Sequence, residues 1–204
     1  MKALAGLVLC GGESRRMGMD EALLALEGRP LVLRVAERLA RVADPILLAP
    51  GRPGRLGDLG YQEVADKPPG TGPLAGLVAG LAASPHRLIA TLAVDMPLAS
   101  PEVFRLLAEL HKGEDAVVPV TASGPEPLHA VFDAAALASL RASLSERRRG
   151  LREALSRLRV REVSEAEWRE ADQTGRFATN VNRASDLAAL GDDDAGATLT
   201  TFPR

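Results

Sequence analysis

Residues 3–18 read ALAGLVLCGGESRRMG, an apolar run that passes directly into a loop of glycines and arginines. The apolar half predicts a buried strand. Gly11 and Gly12 allow a tight turn in which backbone N–H groups approach a ligand closely, and Arg15 and Arg16 add charged groups suited to phosphate oxygens. The stretch therefore predicts a strand and an anion-binding loop; the alternative is a glycine-rich turn with two solvated arginines.

The glycine spacing of this loop narrows what it binds. Its last glycine, Gly18, completes a pattern that is neither the G-x-G-x-x-G of dinucleotide-binding folds nor a P-loop. Two further glycine runs, at 51–57 and 70–72, are interpreted as loops, because arginines and prolines break the first and Pro73 follows the second. The second run could still line a ligand.

Short apolar runs alternate with helical patterns along most of the chain, which predicts an α/β fold with a mostly parallel sheet in three layers. The predicted strands cover 3–9, 45–49, 62–65, 87–94, 116–120, 129–132 and 160–163. The predicted helices cover 31–42, 134–144, 151–158 and 184–190, and two more begin at 73 and 101. We expect one domain over 1–190 and a frayed tail over 191–204.

Composition excludes several classes of function. A net charge of -2 over 204 residues gives no electrostatic reason to expect nucleic acid or an anionic membrane. No apolar run approaches the roughly 20 residues of a spanning helix. Cys10 is the single cysteine, which excludes an internal disulfide. Because no signal-peptide pattern follows Met1, we expect a cytoplasmic protein.

Two aspartates follow predicted strands, where open α/β sheets bind their ligands. Asp95 comes between an apolar strand and Met96-Pro97, a place that suits a Mg2+ ion bridging to phosphates. Asp66 follows another strand. The alternative for each is an aspartate that caps a turn. A phosphate loop together with strand-end carboxylates indicates phosphoryl or nucleotidyl transfer.

Five segments, in order, resemble the molybdenum cofactor guanylyltransferase family. They are LCGGESRRMGMDEALLALEGRPL (9–31), ADKPPGTGPLAGLVAGL (65–81), AVDMPL (93–98), PEPLHAVF (125–132) and NVNRASDL (180–187). The resemblance implies a Rossmann-like nucleotidyltransferase fold. It also implies an enzyme that transfers GMP from GTP to molybdopterin, releases pyrophosphate and forms the guanine dinucleotide cofactor. Further partners implied are enzymes that deliver or accept the cofactor.

The same resemblance implies roles for individual residues. The nucleotide-binding set is Leu9, Cys10, Gly11, Gly12, Gly18, Glu21, Asp66 and Asp95. The catalytic set is Arg15, Arg16 and Asp95, the pterin side is Pro127, Asn180 and Asn182, and Asp95 with Asn182 would bind Mg2+. Cys10-Gly11-Gly12 is nearer the Ala-Gly-Gly of guanylyl enzymes than the Ala-Ala-Gly of relatives that use CTP. The methyl missing at Gly11 would leave room for a purine, and one methyl is worth about 1–3 kcal/mol of discrimination.

Two positions depart from the family pattern. Glu21 stands where the family has a lysine facing the triphosphate, and Ala49 stands where it often has an asparagine. Loss of one well-placed donor in such a site costs roughly 10²–10³ in rate. Either Arg15, Arg16 or Lys67 substitutes, or Glu21 points away from the pocket, or the protein is a weak or inactive nucleotide-binding homologue. A cytidylyl or sugar-phosphate transferase is the remaining alternative.

Overall fold

The computed structural model describes residues 2–11, 20–26, 28–66, 71–146, 150–181, 186 and 200–201. The strands are β1 (Leu4–Leu9), β2 (Leu24–Leu26), β3 (Arg29–Pro30), β4 (Ile46–Ala49), β5 (Gln62–Glu63), β6 (Leu88–Ala93), β7 (Ala116–Thr121), β8 (Gly124–Pro125), β9 (His129–Asp133), β10 (Val160–Val163) and β11 (Thr200–Thr201). The helices are α1 (Leu31–Ala40), α2 (Pro73–Ala83), α3 (Pro101–Leu110), α4 (Leu137–Ser145), α5 (Leu151–Leu155) and α6 (Glu165–Trp168).

The main sheet has the strand order β10-β7-β9-β6-β1-β4-β5, with β8 attached to β7. β1 is buried along its whole length and pairs in parallel with both β4 and β6. β9 runs antiparallel to its neighbours β6 and β7. The predicted mostly parallel α/β sheet is therefore confirmed, with one reversed strand inside it.

Helices cover both faces of the sheet because β1 alternates its side chains between them. Val8 belongs to the core under α1 and α3, whereas Leu7 and Leu9 belong to the core under α2, α4 and α5. Helix α2 packs close to the sheet: a Cβ at Gly76 would lie 2.7 Å from Leu9 Cδ2, and one at Gly80 would meet the Leu7 side chain. The predicted three layers follow from this packing.

Helix starts obey the local signals of the sequence. Pro73 and Pro101 each occupy the first turn of a helix, where the missing N–H costs nothing. Ser100 caps α3, and its Oγ accepts a hydrogen bond from Val103 N–H at 3.3 Å. Gly72 precedes α2 with φ of 97°, a conformation that favours glycine. These signals explain why the helices begin where the sequence predicted.

Sequence patterns missed or misplaced several elements. The small sheet of β11, β2 and β3 was not predicted, because each strand is two or three residues long and β11 pairs with β2 from the far end of the chain. Helix α6 was not predicted either, and it is only four residues long. The predicted helix 134–144 begins as a 3₁₀ turn, Ala134–Ala136. The predicted helix 184–190, apart from its helical residue Asp186, and most of the tail lie outside the described residues.

No helix within the described ranges is both long enough and apolar enough to cross a bilayer.

Thr91→Val is expected to raise the free energy of unfolding by about 1 kcal/mol, since a buried hydroxyl without a partner costs roughly 1–3 kcal/mol. Thr91 in β6 is fully buried, and its Oγ1 has no hydrogen-bond partner in the described part of the chain. Urea denaturation measures the change. Thr121→Val is the matched control and should give no gain, because the Thr121 hydroxyl donates to Gly124 O at 3.2 Å. Equal effects of the two substitutions would contradict this account.

Candidate active site

A cleft of about 200 Å³ opens at the carboxyl ends of β1, β4 and β6, beside the start of α2. Strand ends, the N-terminus of α2 and the 3₁₀ turn Glu21–Leu23 contribute its walls. Its lining comprises Leu9, Gly11, Glu21, Ala49, Asp66, Gly72, Pro73, Gly76, Ala93, Val94, Asp95 and Leu128. This is the edge where open α/β sheets bind ligands.

The structure brings together most of the described residues that the sequence assigned to a nucleotide. Leu9, Gly11, Glu21, Asp66 and Asp95 all line this cleft. Of the other residues to which the sequence assigned a role in the site, Gly12, Arg15, Arg16, Gly18, Lys67 and Asn182 lie outside the described part of the chain.

Cys10, the remaining described member of the predicted nucleotide-binding set, lies beneath the loop. Its side chain packs in the core under α1 and is almost completely buried. Burial raises the pKa of the Cys10 thiol to about 12, although the positive charge of Arg55 acts in the opposite direction. Only its backbone is therefore available to a ligand, as the sequence-based assignment of Cys10 to nucleotide binding would require.

Asp95 is held by the backbone on two sides. The neighbouring Val94 N–H donates to Leu9 O at 3.1 Å, and Val181 N–H donates to Asp95 O at 2.7 Å. Its carboxylate atom Oδ1 is buried, and none of the described residues provides it with a hydrogen bond. Burial raises the pKa of Asp95 to about 6, and the charge of Glu126 adds to this.

Glu126 is a buried acidic residue that sequence reasoning missed. It lies between β8 and β9 at 8% exposure, and its Oε1 accepts a hydrogen bond from Leu128 N–H at 3.3 Å. Burial raises the pKa of its carboxyl. A lone glutamate in a proline-rich turn carries no sequence signal, so only the fold reveals that it acts electrostatically on Asp95.

Glu21 faces the cleft. It begins a 3₁₀ turn capped by Asp20, whose Oδ1 accepts a hydrogen bond from Ala22 N–H at 3.1 Å. Burial, Asp95 and Asp20 all raise the pKa of Glu21. Of the alternatives left by the sequence, a Glu21 that points away from the pocket disagrees with this geometry.

Arg55 fastens the loop after β1 to the loop after β4. Its guanidinium forms an ion pair with Asp20, donates to Cys10 O, and donates to Pro50 O at 2.9 Å. Sequence reasoning missed it, because Arg55 lies in a glycine run interpreted only as a loop. These bonds fix the position of the segment that carries Glu21.

Gly11 and Gly51 are in close backbone contact, which accounts for a glycine at each position. A Cβ on Gly11 would lie 3.1 Å from Gly51 N and 3.2 Å from Gly51 Cα, so the two loops approach backbone to backbone. The methyl absent at Gly11 would thus meet the protein's own chain. The interpretation that this glycine makes room for a purine loses its support.

The N-terminus of α2 adds positive potential to the cleft. None of the side chains that the structure describes caps this end of the helix, and Gly72 and Pro73 both line the cleft. Uncapped N–H groups and the helix dipole favour an anion at such a position. A Cβ at Gly76 would lie 3.6 Å from Asp66 Oδ1, so the buried Asp66 carboxylate stands beside this helix.

The predicted pterin-side residues occupy different positions. Pro127 is buried beside Leu128, which lines the cleft, whereas Asn180 is exposed. Val181, the residue after Asn180, contacts Asp95 through the backbone. Among the residues that the structure describes, no group of three or more His, Cys, Asp or Glu side chains could hold a metal ion.

Comparisons with known proteins find relatives along most of the chain. A family profile of MobA-like NTP transferase domains matches residues 6–163. A probable molybdenum cofactor guanylyltransferase of Opitutus terrae is 40% identical over 182 residues, which are 83% of this chain and 90% of that protein. The molybdenum cofactor guanylyltransferase of Desulfosudis oleivorans is 31% identical over 191 residues, 92% of this chain and 94% of that protein.

A solved structure shows the same architecture. Molybdopterin-guanine dinucleotide biosynthesis protein A from Archaeoglobus fulgidus superposes with a TM-score of 0.82 at 26% identity. The alignment covers 94% of this chain and 98% of that one.

Asp95→Asn is expected to stabilise the metal-free protein at neutral pH. Because burial raises the pKa of Asp95 from 3.8 to about 6, the folded protein holds this proton more tightly than the unfolded chain does. The wild type therefore loses stability relative to the variant as pH rises from about 4 to about 6. The difference, roughly 2–3 kcal/mol, persists at higher pH.

Urea denaturation in a chelator between about pH 4 and pH 8 measures this difference. Glu170→Gln, which removes an exposed carboxylate, is the control and should change little. A difference between Asp95→Asn and wild type that does not vary with pH would contradict the assignment.

Proposed function

This chain belongs to the MobA-like NTP transferase family, and on that premise we propose that it is a molybdenum cofactor guanylyltransferase. It transfers GMP from GTP to molybdopterin, releases pyrophosphate and forms the guanine dinucleotide cofactor. The observation that carries the proposal is the single cleft in which Leu9, Gly11, Asp66 and Asp95 converge. These residues are far apart in the sequence and belong to three of its family-like segments.

The proposed reaction depends on the positioning of its two substrates more than on proton transfer. A terminal phosphate oxygen of the pterin attacks the α-phosphorus of GTP in line, and the bond to the bridging oxygen of pyrophosphate breaks. The attacking phosphate is already an anion at neutral pH, so the site needs no general base. Catalysis then consists of aligning two anions and stabilising the charge between them.

Enzymes of this nucleotidyltransferase type use a divalent metal ion, and we propose Mg2+ for this chain. The buried Oδ1 of Asp95, unbonded among the described residues, is an oxygen ligand of the kind that Mg2+ accepts. When bound, the ion would neutralise phosphate charge. Mg2+ usually takes one or two carboxylates and completes its shell with water and phosphate, which suits a site whose described carboxylates do not form a group of three metal ligands. Asn182 follows Val181, the contact of Asp95, and is the proposed second ligand.

Asp66 is the proposed guanine-recognition residue. It is buried at 4% exposure in the cleft wall next to the start of α2. A carboxylate accepts hydrogen bonds from both N–H groups on the guanine edge, whereas the cytosine edge offers only its amino group. Leu9 and Ala49 provide apolar walls for the base in the same cleft.

The acceptor would approach from the β9 side. Leu128 lines the cleft there, Pro127 precedes it, and the segment of Asn180 passes Asp95. The N-terminus of α2 and the loop of Gly11 enclose the opposite side. In this proposal the metal ligand Asp95 lies between the two substrates.

Purified protein incubated with GTP, Mg2+ and molybdopterin is expected to yield pyrophosphate and the guanine dinucleotide. Chromatography of the pterin products measures the yield, and CTP in place of GTP is the substrate control. Asp95→Asn should lower kcat/KM by roughly 10²–10³, the usual loss on removing one such group. Folded protein that makes no dinucleotide, or that prefers CTP, would overturn the proposal.

Glu21→Lys is expected to lower the dissociation constant for GTP by about tenfold or more, because a cation replaces a carboxylate in a cleft that would receive a triphosphate. Glu21→Gln is the matched variant that removes the negative charge without adding a positive one, and it should lie between wild type and Glu21→Lys. Calorimetric titration with GTP at two salt concentrations measures both. If Glu21→Lys binds GTP no better than Glu21→Gln does, the family's lysine has no counterpart function here.

A further inference from the structure

His129 is a polar ring in an aromatic core. It opens β9 and is fully buried, stacked on Phe104 with ring centroids 3.8 Å apart and planes 12° from parallel. Phe177 lies against it with its centroid at 4.7 Å. A phenylalanine ring could pack in these surroundings as an imidazole does, so the packing alone does not explain why the residue is a histidine.

The hydrogen bonds of the ring supply that reason. Ser100 N–H donates to His129 Nε2 at 3.2 Å, which requires a lone pair on Nε2. The other nitrogen, Nδ1, is buried and has no hydrogen-bond partner in the described part of the chain. Burial also lowers the pKa of His129 to about 3, so the ring is neutral. Since an unpaired buried nitrogen destabilises the fold, the imidazole is explained by the bond that Nε2 accepts.

That bond holds one end of the segment that carries Asp95. The segment leaves β6 at Ala93 and turns through two backbone bonds, Met96 N–H to Ala93 O and Ala99 N–H to Met96 O, each at 3.2 Å. It ends at Ser100, which His129 holds. At the other end, Ala93 N–H donates to Leu128 O at 3.0 Å. Leu128 and His129, which are consecutive, thus bind the two ends of the turn from Ala93 to Ser100 that contains Asp95.

We propose that His129 is a positioning residue for Asp95, acting through Ser100, an inference that rests on the proposed function. Asp95 receives no hydrogen bond at Oδ1 from the described residues, so the backbone turn sets where its carboxylate points. A misplacement of about 1 Å in such a site can cost on the order of 10²-fold in rate. The His129 ring is fully buried, so it would contact neither substrate.

Three substitutions of His129 separate the hydrogen bond from the packing. His129→Gln can place an acceptor near the position of Nε2, His129→Asn is too short to reach Ser100, and His129→Phe keeps the stacked ring without an acceptor. We expect His129→Gln to keep kcat within about threefold of wild type. His129→Asn and His129→Phe should lower kcat by about tenfold or more, with a much smaller change in the KM for GTP.

Binding of Mn2+ in the presence of GTP, followed by electron paramagnetic resonance, gives a readout that needs no acceptor. Its dissociation constant should rise by about fivefold or more in His129→Phe and His129→Asn but not in His129→Gln. A wild type that binds Mn2+ and GTP without forming the dinucleotide would refute the proposed function. The Mn2+ series would still decide the role of His129.

Phe104→Leu is the control for a purely structural role. It loosens the stack on His129 and leaves the acceptor in place, so it should lower Tm without weakening Mn2+ binding. His129→Phe should show the reverse, because it exchanges one unpaired buried group, Nδ1, for another, Ser100 N–H. The proposal is overturned if His129→Phe binds Mn2+ as wild type does, or if Phe104→Leu weakens that binding equally.

Discussion

The parallel pairing of β1 with β4 on one side and β6 on the other is the constraint on which the rest of this molecule depends. It buries β1 on both faces, and it brings the carboxyl ends of three strands to one edge. Residues that follow those strands then share a cleft although they are remote in sequence. The bond from Val94 N–H to Leu9 O continues the same pairing one step past β6, and so brings Asp95 to the carboxyl end of β1.

Much of the fold and part of the site could be predicted, for identifiable reasons. β6 and Asp95 were predicted because an apolar run that stops at an acidic turn is a local signal. Arg55, Glu126 and the contact of His129 with Ser100 could not be predicted, since each joins segments that only the fold brings together. Local pattern therefore gives strand ends, whereas the supports of the site depend on contacts between distant segments.

The cleft is electrostatically incomplete without its ligands. Glu21 and Asp95 each hold a proton more tightly than an ordinary carboxyl does, and the two carboxylates and their neighbours Asp20 and Glu126 repel one another. A bound cation relieves this repulsion, and a nucleotide accompanied by its metal adds less negative charge than the free nucleotide. Metal and nucleotide should therefore bind cooperatively, because each reduces the electrostatic cost of the other.

The close approach of Gly11 and Gly51 bears on how substrate choice evolves in this scaffold. A Cβ at Gly11 would meet the Gly51 backbone, so packing within the protein itself favours a glycine at this position. A redesign of base preference that began at Gly11 would first separate the two loops that Arg55 joins. Asp66 lies beside the same contact, since a Cβ at Gly51 would come within 3.7 Å of its Oδ2, so a substitution that parted the two loops would also disturb the residue proposed to recognise the base.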